Sequence, residues 1–221
     1  MRKRNVNNAV TRLTDAIVRR VPRPVCSVFV VPKTKRDQLL EAAWAVIAQR
    51  GVHGLRVEDA AEAVGVANAT VYYHFGDRAG LLAATMDYND ASALSAPARN
   101  ASGTGLDRVT ASLMGDLGES KRVRDNDIVW NDLNAAAVFD SELRARISQI
   151  GRQWVSDVAD MIRQGIEDGS VRSDAEPAEA AEALTALQGG LITRYLIGAL
   201  PRARARSVLK AAIRAYLEPT D

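Results

Sequence analysis

The sequence predicts an all-α protein: an N-terminal three-helix unit containing a helix-turn-helix, then a connecting helix, then a larger C-terminal helical body. Three observations predict it. Ala, Arg, Leu and Val dominate a chain of 221 residues that is 47% hydrophobic and holds only seven prolines, a composition that favours helices. Apolar residues recur at helical intervals through most of the chain. The run Val57 to Leu82 is divided by Gly65-Val66 and again near Asp77, the layout of two short helices followed by a longer one.

The length allows one good core and a small second one. Residues 1–32 read as a basic extension, 33–80 as the helix-turn-helix domain and 81–221 as the C-terminal body. In the extension Val6, Val10, Leu13, Ile17 and Val21 share a helical spacing beside Arg12, Arg19 and Arg20, before Pro22 and Pro24. That pattern fits a loosely ordered segment, a start assigned too early with Val31 as the true first position, a minor-groove arm, or a weak membrane-surface helix.

From Lys35 to Arg50, Leu39, Leu40, Ala43, Trp44 and Ile47 form one apolar stripe, which Gly51 can close. Residues 52–56 connect to a short helix whose inner face is Val57, Ala60, Ala61 and Val64. Gly65 supplies the turn and Val66 fills the angle. The third helix spans about 68–75, with Val71 and Phe75 on one side, Ala69 and Tyr73 on the other, and Thr70 and Tyr72 flanking that outer side. One side can be buried while the other offers small and hydrogen-bonding groups, as a helix entering a major groove requires.

Asp77 caps a fourth helix through Leu81, Leu82, Thr85 and Met86 toward Ala93, and Pro97, Gly103 and Gly105 mark a break. Leu106, Val109, Leu113 and Leu117 predict the next helix, Glu119 to Asp127 a charged break, and Ile128 to Val138 another helix. A long helix from Ser141 carries Leu143, Ile147, Ile150, Trp154, Val158, Met161 and Ile166 and ends at Gly169. Pro177 opens a helix over about 177–199 with Leu184, Leu187, Leu191 and Tyr195; after Pro201 a last helix, about 202–217, carries Val208, Ala212, Ile213, Tyr216 and Leu217. The first of this pair also bears Ile192, Leu196, Ile197 and Gly189-Gly190. Such apolarity predicts a self-complementary homodimer face on the last two helices, with simple burial within one subunit as the alternative.

The net charge of +2 conceals an asymmetry, since residues 1–36 carry ten Lys/Arg against Asp15 alone. Placed at the front, that charge suits a partner bearing phosphates. Cys26 is the only cysteine, so no internal disulfide is expected, and no apolar run reaches the roughly 18 to 20 residues of a membrane span. These features predict a reducing, cytoplasmic setting and no membrane partner.

Residues Leu39 to Leu82 resemble the N-terminal domain of the tetracycline-repressor (TetR) family of bacterial regulators. Leu40, Ala42-Ala43, Gly51, Val57, Ala61, Gly65-Val66, Thr70, Tyr72, His74-Phe75, Arg78 and Leu81-Leu82 carry the likeness, with the family's spacing throughout. Arg56 and Ala67 depart from it, standing where capping Ser or Thr is usual, and Ile47 and Ala60 differ in size. Asn68 can then serve as the cap of the third helix.

The resemblance implies a ligand-responsive transcriptional regulator, a repressor that binds a palindromic double-stranded DNA operator as a dimer and is released by a small molecule. By the family's pattern Thr70, Tyr72, His74 and Arg78 meet phosphates, while Asn68, Ala69 and Tyr73 face base edges. Residues 37–78 sum to −3, and Lys33, Lys35 and Arg36 bring the module to zero; Lys35, Arg36 and Arg56 are therefore expected to supply phosphate affinity. Paired recognition helices would read half-sites about 34 Å apart. Met114, Trp130, Asn134 and Trp154 are the candidate effector-pocket residues, with core packing the alternative for each Trp, and Asp132 beside Trp130 is suited to a cation.

An enzyme is the rival class, but the sequence holds no phosphate-binding glycine loop, nucleophile elbow or His/Cys metal spacing. No catalytic residue, metal site or cofactor is therefore expected. A helical ligand-binding or interaction module that no longer binds DNA is the remaining alternative.

Overall fold

A computed structural model describes residues 33–94 and 103–219. The basic extension over 1–32, with each of its four readings, and the break at Pro97 lie outside the described residues. Thr34 onward forms one compact unit. Among the described residues there are nine α-helices and one 3-10 turn, and every regular element is helical: α1 (Lys35–Arg50), the 3-10 turn (Val52–Gly54), α2 (Val57–Val64), α3 (Asn68–Phe75), α4 (Arg78–Leu94), α5 (Gly105–Gly115), α6 (Lys121–Ala137), α7 (Ser141–Glu167), α8 (Pro177–Leu196) and α9 (Arg202–Leu217).

Local chemistry explains the boundaries. Thr34 Oγ1 accepts from Asp37 N–H at 3.1 Å while the Asp37 carboxylate accepts from Thr34 N–H at 3.1 Å, a reciprocal cap at the start of α1. Thr104 and Asp107 repeat it at α5. Asp77 Oδ1 accepts from Gly80 N–H at 2.8 Å and so caps α4.

The sequence reading of a charged break over 119–127 is corrected, because α6 begins at Lys121. Ser120 Oγ accepts from Val123 N–H at 3.2 Å, and Lys121 pairs with Asp125 one turn on. Charged residues are good helix formers, and the absence of an apolar stripe in that first turn does not end a helix.

Two cores divide the unit. The first joins Leu39, Leu40, Ala43 and Ile47 of α1, Val57, Ala60 and Ala61 of α2, Val71 of α3, and Leu81, Leu82 and Met86 of α4. It continues without interruption into Val129, Leu133, Ala136 and Ala137 of α6 and Leu143 of α7. The second core gathers Val109 and Leu113 of α5, Val158 and Ile162 of α7, Leu184 and Leu191 of α8, and Leu209, Ile213 and Leu217 of α9. Each fully buried leucine contributes about 1.5–3 kcal/mol of hydrophobic stabilisation.

At the base of the second core α5 and α7 meet backbone to backbone. A Cβ on Gly105 would lie 2.2 Å from the Gly165 nitrogen, so only glycine permits the crossing. Asp168 Oδ2 accepts from Gly105 N–H at 2.7 Å and Ser170 Oγ from Leu106 N–H at 3.2 Å, satisfying the first amides of α5. The Ser170 and Gly105 hydrogen bonds hold the Asp168 carboxyl below the usual carboxylate range.

Candidate nucleic-acid interface

The turn between α2 and α3 is built from the backbone of α2 itself. Gly65 adopts φ +70° and ψ 41°, a left-handed conformation costly for residues with a Cβ. Its N–H donates to Glu62 O at 3.1 Å, and Val66 N–H donates to Ala61 O at 3.0 Å, the paired bonds of a Schellman closure. Val66 packs against the first core. The chain is thus turned sharply enough to lay α3 across α2.

On α3, Val71 is 1% exposed and anchors the helix, with Phe75 packed partly beside it. The opposite side is free of the protein. Asn68, Ala69, Tyr72, Tyr73 and His74 are exposed, Tyr73 to 85%, and Thr70 is half-buried. Ala67, not Asn68, occupies the cap position, and α3 has no side-chain cap. This corrects the expected capping role of Asn68, whose amide is left exposed on the first turn. The Tyr73 and His74 rings meet edge to face at 5.2 Å.

The basic residues distribute around this face. Arg36 carries its guanidinium 5.4 Å from the centre of the Phe75 ring, which brings the first turn of α1 to the C-terminal end of α3 by a cation–π contact. Lys35 is exposed beside it and donates to Gln38 Oε1 at 3.4 Å. Arg56 is exposed at the start of α2 and makes no side-chain cap. Arg78 is turned partly inward: its Nε donates to Leu55 O at 2.9 Å and a terminal nitrogen donates to Val52 O. Two of its donors therefore fasten the 3-10 turn to the start of α4. Arg50 is paired with Asp59 at 2.9 Å.

The expected effector residues are not brought together. Trp130 packs edge to face on Trp44 at 6.0 Å, beside the first core. Asn134 is exposed, donates to Trp130 O at 2.7 Å, and lines a shallow depression with Arg144 and Ile147. Trp154 and Met114 border the second core. Met114 also lines an open groove of about 850 Å³ with Arg206, Lys210 and Arg214 of α9.

The cation role expected of Asp132 is corrected, since its Oδ2 accepts from Val52 N–H at 2.5 Å and ties α6 to the 3-10 turn. Residue type alone gave no signal for this bond. Sequence reasoning also missed a polar seam in the body. Gln188 of α8 donates to Leu113 O at 2.8 Å and to Asp116 Oδ2 at 3.0 Å, and Thr193 donates to Asn131 Oδ1 at 2.6 Å. Burial, with the Asp116 carboxylate as a second cause, pushes the Asp127 carboxyl up to about 8. Among the described residues no group of three His, Cys, Asp or Glu side chains is placed to hold a metal, and no helix is long and apolar enough to cross a membrane.

Residues 39–85 match the model of bacterial regulatory proteins of the tetR family, and residues 106–218 match that of the C-terminal domain of BetI-type transcriptional repressors. A solved protein from Rhodococcus sp., described as a TetR-family transcriptional regulator, is 38% identical and superposes with a TM-score of 0.77, covering 83% of this chain and 98% of that one. A transcriptional regulator from Saccharomonospora viridis, solved in complex with choline, is 26% identical with a TM-score of 0.75, covering 84% and 98%. The HTH-type transcriptional regulator BetI of Yersinia pestis is 39% identical over 54 residues, 24% of this chain. That match spans only 27% of the BetI chain. The two family models together account for the helix-turn-helix and for the helical body behind it. The chain belongs to the tetR family of bacterial regulatory proteins.

Proposed function

We propose that this chain is a ligand-responsive repressor that binds a palindromic operator as a homodimer and is released by a small molecule. The observation that carries it is the outer side of α3, where Asn68, Ala69 and Tyr73 are exposed on a helix anchored by the buried Val71. A helix so mounted can enter a major groove without unfolding anything. Asn68 matches an adenine edge and Ala69 a thymine methyl, with Tyr73 the third base-facing side chain. Thr70, Tyr72, His74 and the remaining N–H groups of Arg78 take phosphates, as do Lys35, Arg36 and Arg56.

In this reading residues 33–80 form the DNA-reading head and 81–221 the ligand-binding and dimerising body. The dimer forms through α8 and α9. Ile197 is 71% and Tyr216 46% exposed there, and nothing in the subunit lies near the Cα faces of Gly189 and Gly190, which leaves room for close approach by a second copy. The protein works in the bacterial cytoplasm, on the nucleoid when bound to DNA.

Effector and operator are linked only if the effector binds one conformation more tightly. Asp132 on Val52, Trp130 on Trp44 and Arg146 of α7 paired with Asp87 of α4 are the contacts through which the body can bias the head. Choline, found in the Saccharomonospora viridis protein, is the first effector to try. Met114, Trp130, Asn134 and Trp154 remain the proposed effector contacts.

The test is a fluorescence anisotropy titration of the full chain on the promoter fragment adjoining its own gene, with and without choline. Salt-sensitive saturable binding that a symmetric half-site competes for is expected. Binding no tighter than to random duplex would leave a helical interaction module that has lost its DNA. A monomer mass persisting at all concentrations would remove the dimer.

A further inference from the structure

We propose that Gly80 is a specificity-determining residue of the DNA-reading head, because the side chain it lacks sets where the last turn of α3 carries Tyr73. It is a positioning residue and acts through the joint between α3 and α4. The proposal rests on the reading of α3 as the helix that enters the major groove.

Gly76 and Asp77 connect the two helices. Gly76 has φ +79° and ψ −61°, and Asp77 N–H donates to Phe75 O at 3.0 Å. These values describe a γ-turn of the positive-φ kind, which is rare and strained. A Cβ at Gly76 would meet nothing within 4 Å, so its dihedral alone calls for glycine.

Gly80, the third residue of α4, is needed for a different reason. Its N–H donates to Asp77 Oδ1 at 2.8 Å. The Phe75 carbonyl oxygen sits where a side chain would leave Gly80, since a Cβ there would lie 2.0 Å from that oxygen and 3.2 Å from its carbon. Cβ contacts under 3.0 Å essentially do not occur. Any other residue at this position therefore drives the two backbones apart by about 1 Å.

The packing decides which backbone yields. At the start of α4, Arg78 donates to Leu55 O at 2.9 Å and to Val52 O, and Leu81 and Leu82 are buried in the first core. The entry to α3 is fixed as well, by Val66 against that core and by Val71, which is 1% exposed. What remains is the last turn of α3. There Tyr72, Tyr73 and His74 are exposed, and Phe75 is half-buried with the Arg36 guanidinium 5.4 Å from its ring centre. A push at the Phe75 carbonyl is thus taken up by Tyr73 and its neighbours, while Asn68 and Ala69, in the first turn, keep their places. A binding group tolerates misplacement of only about 0.5 Å, so the shift separates the base pair faced by Tyr73 from the one faced by Asn68.

The experiment compares the full chain with Gly80→Ala. Both carry 3-fluorotyrosine at Tyr72, Tyr73, Tyr88, Tyr195 and Tyr216, assigned by single replacements with phenylalanine, and are read by fluorine NMR without DNA. The Tyr72 and Tyr73 resonances should shift; those of Tyr88 on α4 and of Tyr195 and Tyr216 in the body should stay. Both proteins then select from a pool of random duplexes, with Asn68→Ala and Tyr73→Ala marking the base pair that each side chain reads. Gly80→Ala should lose about tenfold in preference at the Tyr73 base pair, keep the Asn68 preference, and bind random duplex within about twofold of the parent. Gly76→Ala strains the same joint through its dihedral alone, and should shift the same two resonances if Gly80→Ala does not melt cooperatively.

Unmoved Tyr72 and Tyr73 resonances would overturn the positioning role, as would a shift of Tyr88, which would show α4 yielding instead. Equal losses at both base pairs would overturn the specificity role. A parent that selects no sequence sinks the DNA-reading assignment of α3, and the fluorine spectra still decide the joint.

Discussion

Asp132 Oδ2 on α6 accepts the backbone N–H of Val52 at 2.5 Å, and the Val52 carbonyl in turn accepts from Arg78 at the start of α4. One residue of the 3-10 turn is thus gripped on its amide side by the body and on its carbonyl side by the connecting helix. Asp132→Ala leaves the buried Val52 amide without an acceptor, which costs about 1–3 kcal/mol. Denaturant unfolding should show that loss. The same variant is expected to bind operator but respond less to effector; full effector-induced release would show that coupling runs elsewhere.

Asn68→Ala removes an exposed amide that no intramolecular bond employs. Stability should stay within about 0.5 kcal/mol of the parent, while discrimination at one base pair of each half-site falls by about 1–3 kcal/mol. Titration against a set of single-base operator variants checks it. Equal losses on every variant would count against a base contact.

Lys35→Ala with Arg36→Ala acts on the other half of recognition. Affinity should fall alike on specific and random DNA, and the slope of log K against log salt should flatten by about two for each protomer. Loss of the guanidinium over Phe75 adds a stability cost of about 0.5–1 kcal/mol. An unchanged salt slope would show that these side chains meet no phosphate.

Gly105→Ala tests the backbone crossing of α5 and α7. A helical Gly→Ala change ordinarily gains up to about 1 kcal/mol, but here the new methyl lies 2.2 Å from the Gly165 nitrogen. Overpacking should win by about 1–3 kcal/mol, read as a lowered melting temperature. Gly151, whose Cβ would meet nothing within 4 Å, is the control: Gly151→Ala should raise it slightly.

Asp127 predicts a pH dependence with a definite sign. Its carboxyl titrates near pH 8 in the folded chain and from 3.8 when unfolded. Between those values the folded state binds more protons, so this group's contribution to stability falls as pH rises from about 4 to about 8 and then levels off. Asp127→Asn cannot ionise. Its melting temperature should therefore gain on the parent across that window, and parallel curves would contradict the burial of this acid.

Much of the architecture was legible because its signals are local. Gly51, Gly65 and Asp77 bound the first helices by backbone chemistry that sequence displays directly, and Val71 and Phe75 lie on the inner side of α3 as the wheel places them. The caps made by Thr34 with Asp37 and Thr104 with Asp107 are equally local, but Asp stands where Glu or Gln is the usual signal of a capping box, so the sequence does not display them. The start of α6 was missed for a different reason. Lys121 to Asp127 shows no apolar stripe, yet Ser120 and the Lys121–Asp125 pair suffice to begin the helix. Tertiary pairings were beyond reach altogether. Nothing local in Asp132 announces Val52, and Trp130 read as a pocket wall because Trp44 belongs to a different domain of the sequence.

The first core does not stop where the DNA-reading helices do, since Val129, Leu133, Ala136 and Ala137 of α6 complete it. For protein engineering this sets the unit of exchange. A head transplanted onto a foreign body would meet an unfamiliar apolar surface and lose the acceptor for Val52. A graft that preserves regulation has to carry the inner side of α6 with it, from Val129 through Ala137, as part of the donor.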